Sequence, residues 1–177
     1  MFAIDPQASA QVIAAVRAAV PSHLPVFAKL SPDVTDLVTI AGACLGAGAD
    51  GLTLINTTLG MAIDLDRMRP HLGGITGGLS GPAIRPIAVR AIWQVRSAMF
   101  AERLPTAPII GVGGVASGRD ALELAAAGAS AIQVGTATFH DPQAPAHVLD
   151  ELAALLDARG YAAFADVVAA AHPERKH

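Results

Sequence analysis

The sequence has little cysteine, few aromatics, few lysines and little charge. Its single cysteine, Cys44, excludes a disulfide framework and a thiolate metal cluster, and it fits a reducing, cytoplasmic compartment. Aromatic residues make up 4% of the 177 residues and charged residues 15%, against 53% hydrophobic. That balance excludes a disordered chain and argues against an all-β sandwich. With Ala, Val, Leu and Ile supplying the apolar share and 17 glycines, it suits strands buried on both faces by helices. The 12 basic and 15 acidic residues are scattered singly and sum to -3, so no basic face for nucleic acid or an anionic membrane is expected and the ligand is a small molecule. Met1-Phe2-Ala3-Ile4-Asp5 lacks a basic n-region, so no secretory signal is expected. The longest stretch free of charge and histidine, Leu124 to Phe139, carries Ser130, Gln133, Thr136 and Thr138 and is short for a span needing ~20 apolar residues, so no membrane helix is expected.

What is present is a βα alternation. Asp5-Pro6 reads as an N-cap and first-turn proline for a helix whose face is Val12, Ile13, Val16, Ala19 and Val20. A strand follows at Val26 to Leu30. A helix opening at Thr35 places Leu37, Ile40, Ala41, Cys44 and Leu45 on one face, and a second strand is expected from Leu52 to Asn56. Residues 57–83, rich in Gly and Pro and without a period, read as a long loop. A helix from about Ile84 to Met99 then leads to a strand at Ile109 to Val112. Ser117 and Asp120 form a capping box for a helix through Ala127, a strand follows at Ala131 to Gly135, and a last helix spans about Ala146 to Arg159. Residues 161–177 read as a C-terminal helix or tail. Gly48-Ala49-Asp50-Gly51 and Gly128-Ala129-Ser130-Ala131 are the same helix-to-strand turn used twice. The reading is one α/β domain over 1–177, with four parallel strands, half of an eight-stranded barrel; a whole barrel typically takes ~250 residues.

In parallel sheets, ligands gather at the carboxyl ends of the strands. Lys29, Asn56-Thr57, Gly113-Gly114 and Gly135-Thr136 fall there. The two glycine-bearing pairs follow consecutive strands and offer backbone N–H groups to a phosphate, although glycine also simply permits a tight turn. Lys29 is one of two lysines, the other being Lys176, and it sits in a strand that reads as buried, where an anionic ligand atom would neutralise it, or where the side chain snorkels to the sheet rim or pairs with a carboxylate. Asn56 and Thr57 suit the amide edges of a planar heterocycle, or a turn and a helix cap. Cys44 reads as core, Asp64 and Asp66 as solvated, Trp93 as packing or interface. The six histidines show no metal-ligand spacing.

These residues carry a resemblance. Lys29-Leu30-Ser31-Pro32-Asp33-Val34-Thr35-Asp36, Gly48 to Thr57, Thr76-Gly77-Gly78-Leu79-Ser80-Gly81-Pro82-Ala83-Ile84, Gly113-Gly114 and Gln133-Val134-Gly135-Thr136 resemble dihydroorotate dehydrogenases, above all the NAD-linked class 1B catalytic subunits. The resemblance runs in order from about Ile4 to Gly160. It implies a (β/α)8 TIM barrel, of which this chain is the carboxyl-terminal half, strands five to eight, and FMN-dependent oxidation of dihydroorotate to orotate in pyrimidine (UMP) biosynthesis. By resemblance, Lys29 approaches the flavin pyrimidine edge, Ile55 and Gly81 line the isoalloxazine, Gly113, Gly114, Gly135 and Thr136 bind the FMN phosphate, and Asn56 and Thr57 hold the substrate.

The family's catalytic cysteine lies in a loop preceding the matched segment, and Cys44 does not fit that motif. No catalytic base is therefore expected among these residues, and a truncated chain is the expectation. The resemblance further implies a partner subunit carrying FAD and a [2Fe-2S] cluster that passes electrons to NAD. The unpaired edges of a half-barrel imply a homo-oligomer or recruitment of the missing half. The alternatives are another flavin barrel, such as a dihydropyrimidine dehydrogenase-like enzyme, and a non-catalytic half-barrel that binds phosphate or FMN and self-associates.

Overall fold

The structure is a computed structural model that describes residues 2–175. In chain order its strands are β1 (Phe27–Leu30), β2 (Gly51–Leu54), the short β3 (Thr58–Gly60), β4 (Ile63–Asp64), β5 (Arg69–Pro70) and β6 (Gly77–Leu79), then β7 (Ile109–Val112) and β8 (Ala131–Gln133). Its α-helices are α1 (Pro6–Ala19), α2 (Leu37–Gly46), α3 (Arg85–Phe100), α4 (Gly118–Ala126), α5 (Ala137–His140) and α6 (Ala144–Ala158). The main sheet is parallel and runs β1-β2-β7-β8, the order of the chain itself. Winding in one sense puts every crossover helix on the same face. Accordingly α2 packs on β1 and β2, α3 on β2 and β7, and α4 on β7 and β8.

Only β2 is buried on both faces, as expected of all the strands; the others are open on one side. Ala28, Leu30, Leu52, Leu54 and Ile109 point into the helix layer and are buried, with Ile92, Val95 and Leu124 packed against them. Each such side chain contributes ~1.5–3 kcal/mol by leaving water. On the other face, Lys29, Thr53, Ile110 and Ala131 lie in one register row, and Phe27, Lys29, Ala131 and Gln133 are exposed. A sheet wound one way has no helices left for its second face. The face predicted for α1 is only partly covered: Ile13 packs against the core, while Val12 and Val16 are exposed and Ser9 is the helix's only buried residue.

Local chemistry sets the helix starts. Asp5 accepts the Ala8 amide at 2.6 Å, with Pro6 in the first turn of α1. The cap of α2 is Asp36 rather than Thr35: its carboxylate takes both the amide and the hydroxyl of Thr39, at 3.1 and 2.6 Å, which a hydroxyl at position 35 cannot match. Ser117 caps α4 through the Asp120 amide, while Asp120 reaches back to the Ala116 amide. The stretch 57–83 is not a structureless loop. It folds into two antiparallel ribbons, β3–β6 and β4–β5, too short and glycine-rich to give a period-2 signal. Asp64 in it is paired with Arg67 at 2.9 Å and only 13% exposed at its side chain, so it is not simply solvated.

The chain after α6 folds back on the helix layer. The Ala169 and Ala171 amides donate to the carbonyls of Ala125 and Ala126, and Val167 and His172 are buried. Lys176 and His177, the end of the expected tail, lie outside the described residues. No helix among the described residues is long and apolar enough to cross a membrane.

Candidate functional site

The carboxyl ends of the four main strands converge on a cavity of about 560 Å³. All nine residues singled out from the sequence line it: Lys29, Ile55, Asn56, Thr57, Gly81, Gly113, Gly114, Gly135 and Thr136. They come from separate stretches of chain, brought together by the parallel register. Lys29 precedes the last residue of β1, and Asn56 follows β2 with its amide donating to the Leu30 carbonyl at 2.8 Å. That bond ties the lysine strand to the Asn56-Thr57 turn. Asp33 adds a second tie, since its carboxylate accepts the Thr58 hydroxyl and, at 2.9 Å, the Leu59 amide. Lys29 is exposed on the open face of the sheet and has neither an ion pair nor a hydrogen bond among the described residues. The carboxylate partner considered from the sequence is therefore not there.

The glycines shape the walls. Gly81, Gly113 and Gly114 have φ of 80°, 143° and 73°, a region that side chains disfavour. A Cβ on Gly114 would also press within 3.0 Å of the Gly81 carbonyl, so the two loops touch backbone to backbone. Gly135 differs, because a Cβ there meets nothing within 4 Å and would project into free space. Among the described residues, no hydrogen bond within the chain engages the amides of Gly113, Gly114, Gly135 or Thr136. Unengaged donors in residues that line a cavity are available to a multiply charged anion such as a phosphate monoester.

Sequence reasoning missed the groups that α5 and α6 add to this cavity: His140, Asp141, His147 and Glu151. His147 Nδ1 lies 2.9 Å from the Asp141 carboxylate. The Gln143 amide above all, and then the His147 ring, hold the Asp141 carboxyl below the usual carboxylate range. Glu151 accepts the Gly118 amide at 2.7 Å and so serves the first turn of α4. None of these follows a strand, and the Asp141/His147 spacing matches no metal motif. Among the described residues no group of three His, Cys, Asp or Glu could hold a metal. Cys44 is buried in the helix layer, and desolvation pushes its thiol pKa up, away from nucleophile chemistry.

A family model described as dihydroorotate dehydrogenase matches residues 1–156. The chain belongs to the dihydroorotate dehydrogenase family. It is 50% identical over 170 residues to the catalytic subunit of dihydroorotate dehydrogenase B (NAD(+)) from Trichlorobacter lovleyi, which covers 96% of this chain and 53% of that protein. It is 56% identical over 144 residues to the same subunit from Geotalea daltonii, covering 81% and 45%. The chain thus spans about half the length of the curated relatives it matches. Among solved structures, the DHODH of Eimeria tenella in complex with ferulenol is similar, with a TM-score of 0.69 and 30% identity over 84% of this chain and 39% of that one. For a member of this family, the wall residues of the cavity fall within the matched segment, and the helices on one face of a parallel sheet agree with the α/β architecture.

Proposed function

We propose that this chain forms the FMN- and orotate-binding part of a dihydroorotate dehydrogenase, the carboxyl-terminal half of a (β/α)8 barrel. The observation that carries this reading is the convergence of nine residues from separate strand ends on one cavity. The cavity fits the cofactor in two respects. Four unengaged amides in the Gly113-Gly114 and Gly135-Thr136 turns suit a phosphate, and the space beside Gly135 is left clear for it. FMN, when bound, supplies the two-electron acceptor for oxidation of a saturated C–C bond. Lys29 contributes an unpaired ammonium where negative charge must be balanced on the pyrimidine edge of the flavin. Buried Ile55 and Gly81 offer apolar and backbone surface to its ring. Asn56 and Thr57 present an amide and a hydroxyl to the carboxylate and imide edges of dihydroorotate or orotate.

The base that removes a proton from dihydroorotate is not assigned to any residue of this chain. The FAD and [2Fe-2S] subunit that delivers electrons to NAD, a homo-oligomeric state and a cytoplasmic location belong to the same proposal; the uncovered sheet face and the free outer edges of β1 and β8 support association. The test is an FMN titration of the 177-residue chain by flavin fluorescence and absorbance, followed by addition of dihydroorotate. Saturable binding supports the reading. Bleaching of the bound flavin by dihydroorotate gives the chain activity of its own, while binding without bleaching leaves it the cofactor-holding half. Absence of binding overturns it.

A further inference from the structure

The two matching helix-to-strand turns differ in how each neutralises an arginine, and the difference points to a second ligand site at the opposite end of the sheet. In the first turn Gly48 has φ 102° and lies against the Arg17 side chain, which comes from α1. Arg17 donates to the carbonyls of Leu24, Val20 and Pro21 and pairs with Asp50 at 3.1 Å, two residues past the glycine. In the second turn Gly128 has φ 125° and lies against Arg96, from α3. The same backbone bond closes both turns: Asp50 N to Val26 O at 2.8 Å, and Ser130 N to Ile109 O at 2.7 Å. Only the counter-charge is missing, because serine stands at position 130 where aspartate stands at 50.

Arg96 is the more deeply placed of the two, 7% exposed, and its partners are neutral. Nε and Nη2 donate to the Gly128 carbonyl at 3.2 and 2.8 Å, Nη2 reaches Ser130 Oγ at 3.4 Å, and among the described residues the sole partner of Nη1 is the Met99 sulfur at 3.5 Å, a weak acceptor. A buried guanidinium held only by dipoles keeps a large unmet electrostatic demand. Arg175 brings a second cation to the same cavity of about 450 Å³, whose other walls include Phe100, Phe164, Val168 and Ser130. Arg175 is likewise held by neutral partners, the Asp166 and Ala165 carbonyls at 2.6 and 3.4 Å, and among the described residues neither arginine has an ion pair. The two acids on the nearby segment are engaged elsewhere: Asp166 accepts the Ala163 amide at 2.8 Å, and Glu174 lies 3.8 Å from His172.

We propose that this cavity binds a small organic oxyanion, a carboxylate or phosphate carried on an apolar, planar body. Arg96 and Arg175 take the charge in the place that Asp50 fills in the first turn, and the body lies against Phe100 and Phe164. The site is independent of the reading of the carboxyl-end cavity, because no residue lines both.

The only tryptophan, Trp93, is a local reporter, since its ring stacks on His172 at 3.7 Å and Phe100 meets the same imidazole edge-on at 5.3 Å. The test titrates the full chain with benzoate, benzamide and inorganic phosphate while following Trp93 emission. It repeats the titration on Ser130→Asp, which transplants the counter-ion of the first turn, and on Arg175→Ala. The expected result is a saturable response to benzoate, a weaker one to phosphate and none to benzamide. Binding of benzoate should fall at least tenfold in both variants, with the melting temperature of Ser130→Asp at or above that of the parent. No saturable response in the parent, an equal response to benzamide, or undiminished binding in a folded Ser130→Asp protein would overturn the proposal.

Discussion

Gly135 and Gly128 bracket β8, and a side chain added at each meets opposite surroundings. At Gly135, on the carboxyl side, it enters open space; at Gly128, on the amino side, it strikes the Arg96 side chain at 2.7 Å. Glycine at one end keeps a volume empty, and glycine at the other lets two helices and a strand close on a buried arginine. The same contrast separates Lys29, exposed and without an ion pair among the described residues at the carboxyl end, from Arg17, saturated with carbonyls and Asp50 at the amino end. One end of the sheet is assembled to leave donors free, and the other to engage them. In parallel α/β folds the carboxyl end is where ligands gather.

The contrast breaks most visibly at Gly128. Gly128→Val combines a collision with Arg96 and a φ of 125°, and it should cost about 3 kcal/mol or more, read as a large loss of melting temperature or of folded protein. Lys29→Ala tests the other end: the melting temperature should hold, while FMN affinity weakens on the order of tenfold and the flavin reduction potential falls, as removal of an unpaired charge next to a ligand requires. Unchanged affinity and potential would remove Lys29 from the site. Cys44 supplies a negative control. Buried and with a raised pKa, it should resist thiol reagents in the folded chain and become reactive only in denaturant, whether or not FMN is present.

The smallest effect belongs to Asp36. The Thr39 hydroxyl first, and then the Thr39 amide, lower its pKa in the folded state. A lowered folded pKa makes the contribution complete above the unfolded carboxylate value and lost as pH falls through the folded one. Melting temperatures of the parent and Asp36→Ala should therefore differ by on the order of a few °C at neutral pH and converge in strong acid, as pH falls through the lowered folded value.

Much of this was legible in the residues. Asp5-Pro6, Ser117 with Asp120, and Gly48, Gly128 and Gly160 after α2, α4 and α6 marked element ends because caps and left-handed residues have strong residue preferences. The strand-end residues were found because parallel topology fixes where ligands gather. Three things were not legible. Thr35 and Asp36 are both acceptable caps, and only the side-chain geometry at Thr39 separates them. The ribbons of residues 57–83 are two or three residues long, below the length at which alternation becomes visible. Asp141, His147 and Glu151 reach the cavity from α5 and α6, so their place depends on how those helices lie across the strand ends rather than on any local pattern.

The most direct measurement is a paired FMN titration and thermal melt of the parent chain and Gly135→Val. The account predicts that the variant folds with a melting temperature within a few °C of the parent and loses saturable FMN binding, because its side chain occupies the space left clear for the phosphate. A folded Gly135→Val protein that binds FMN as tightly as the parent would contradict it.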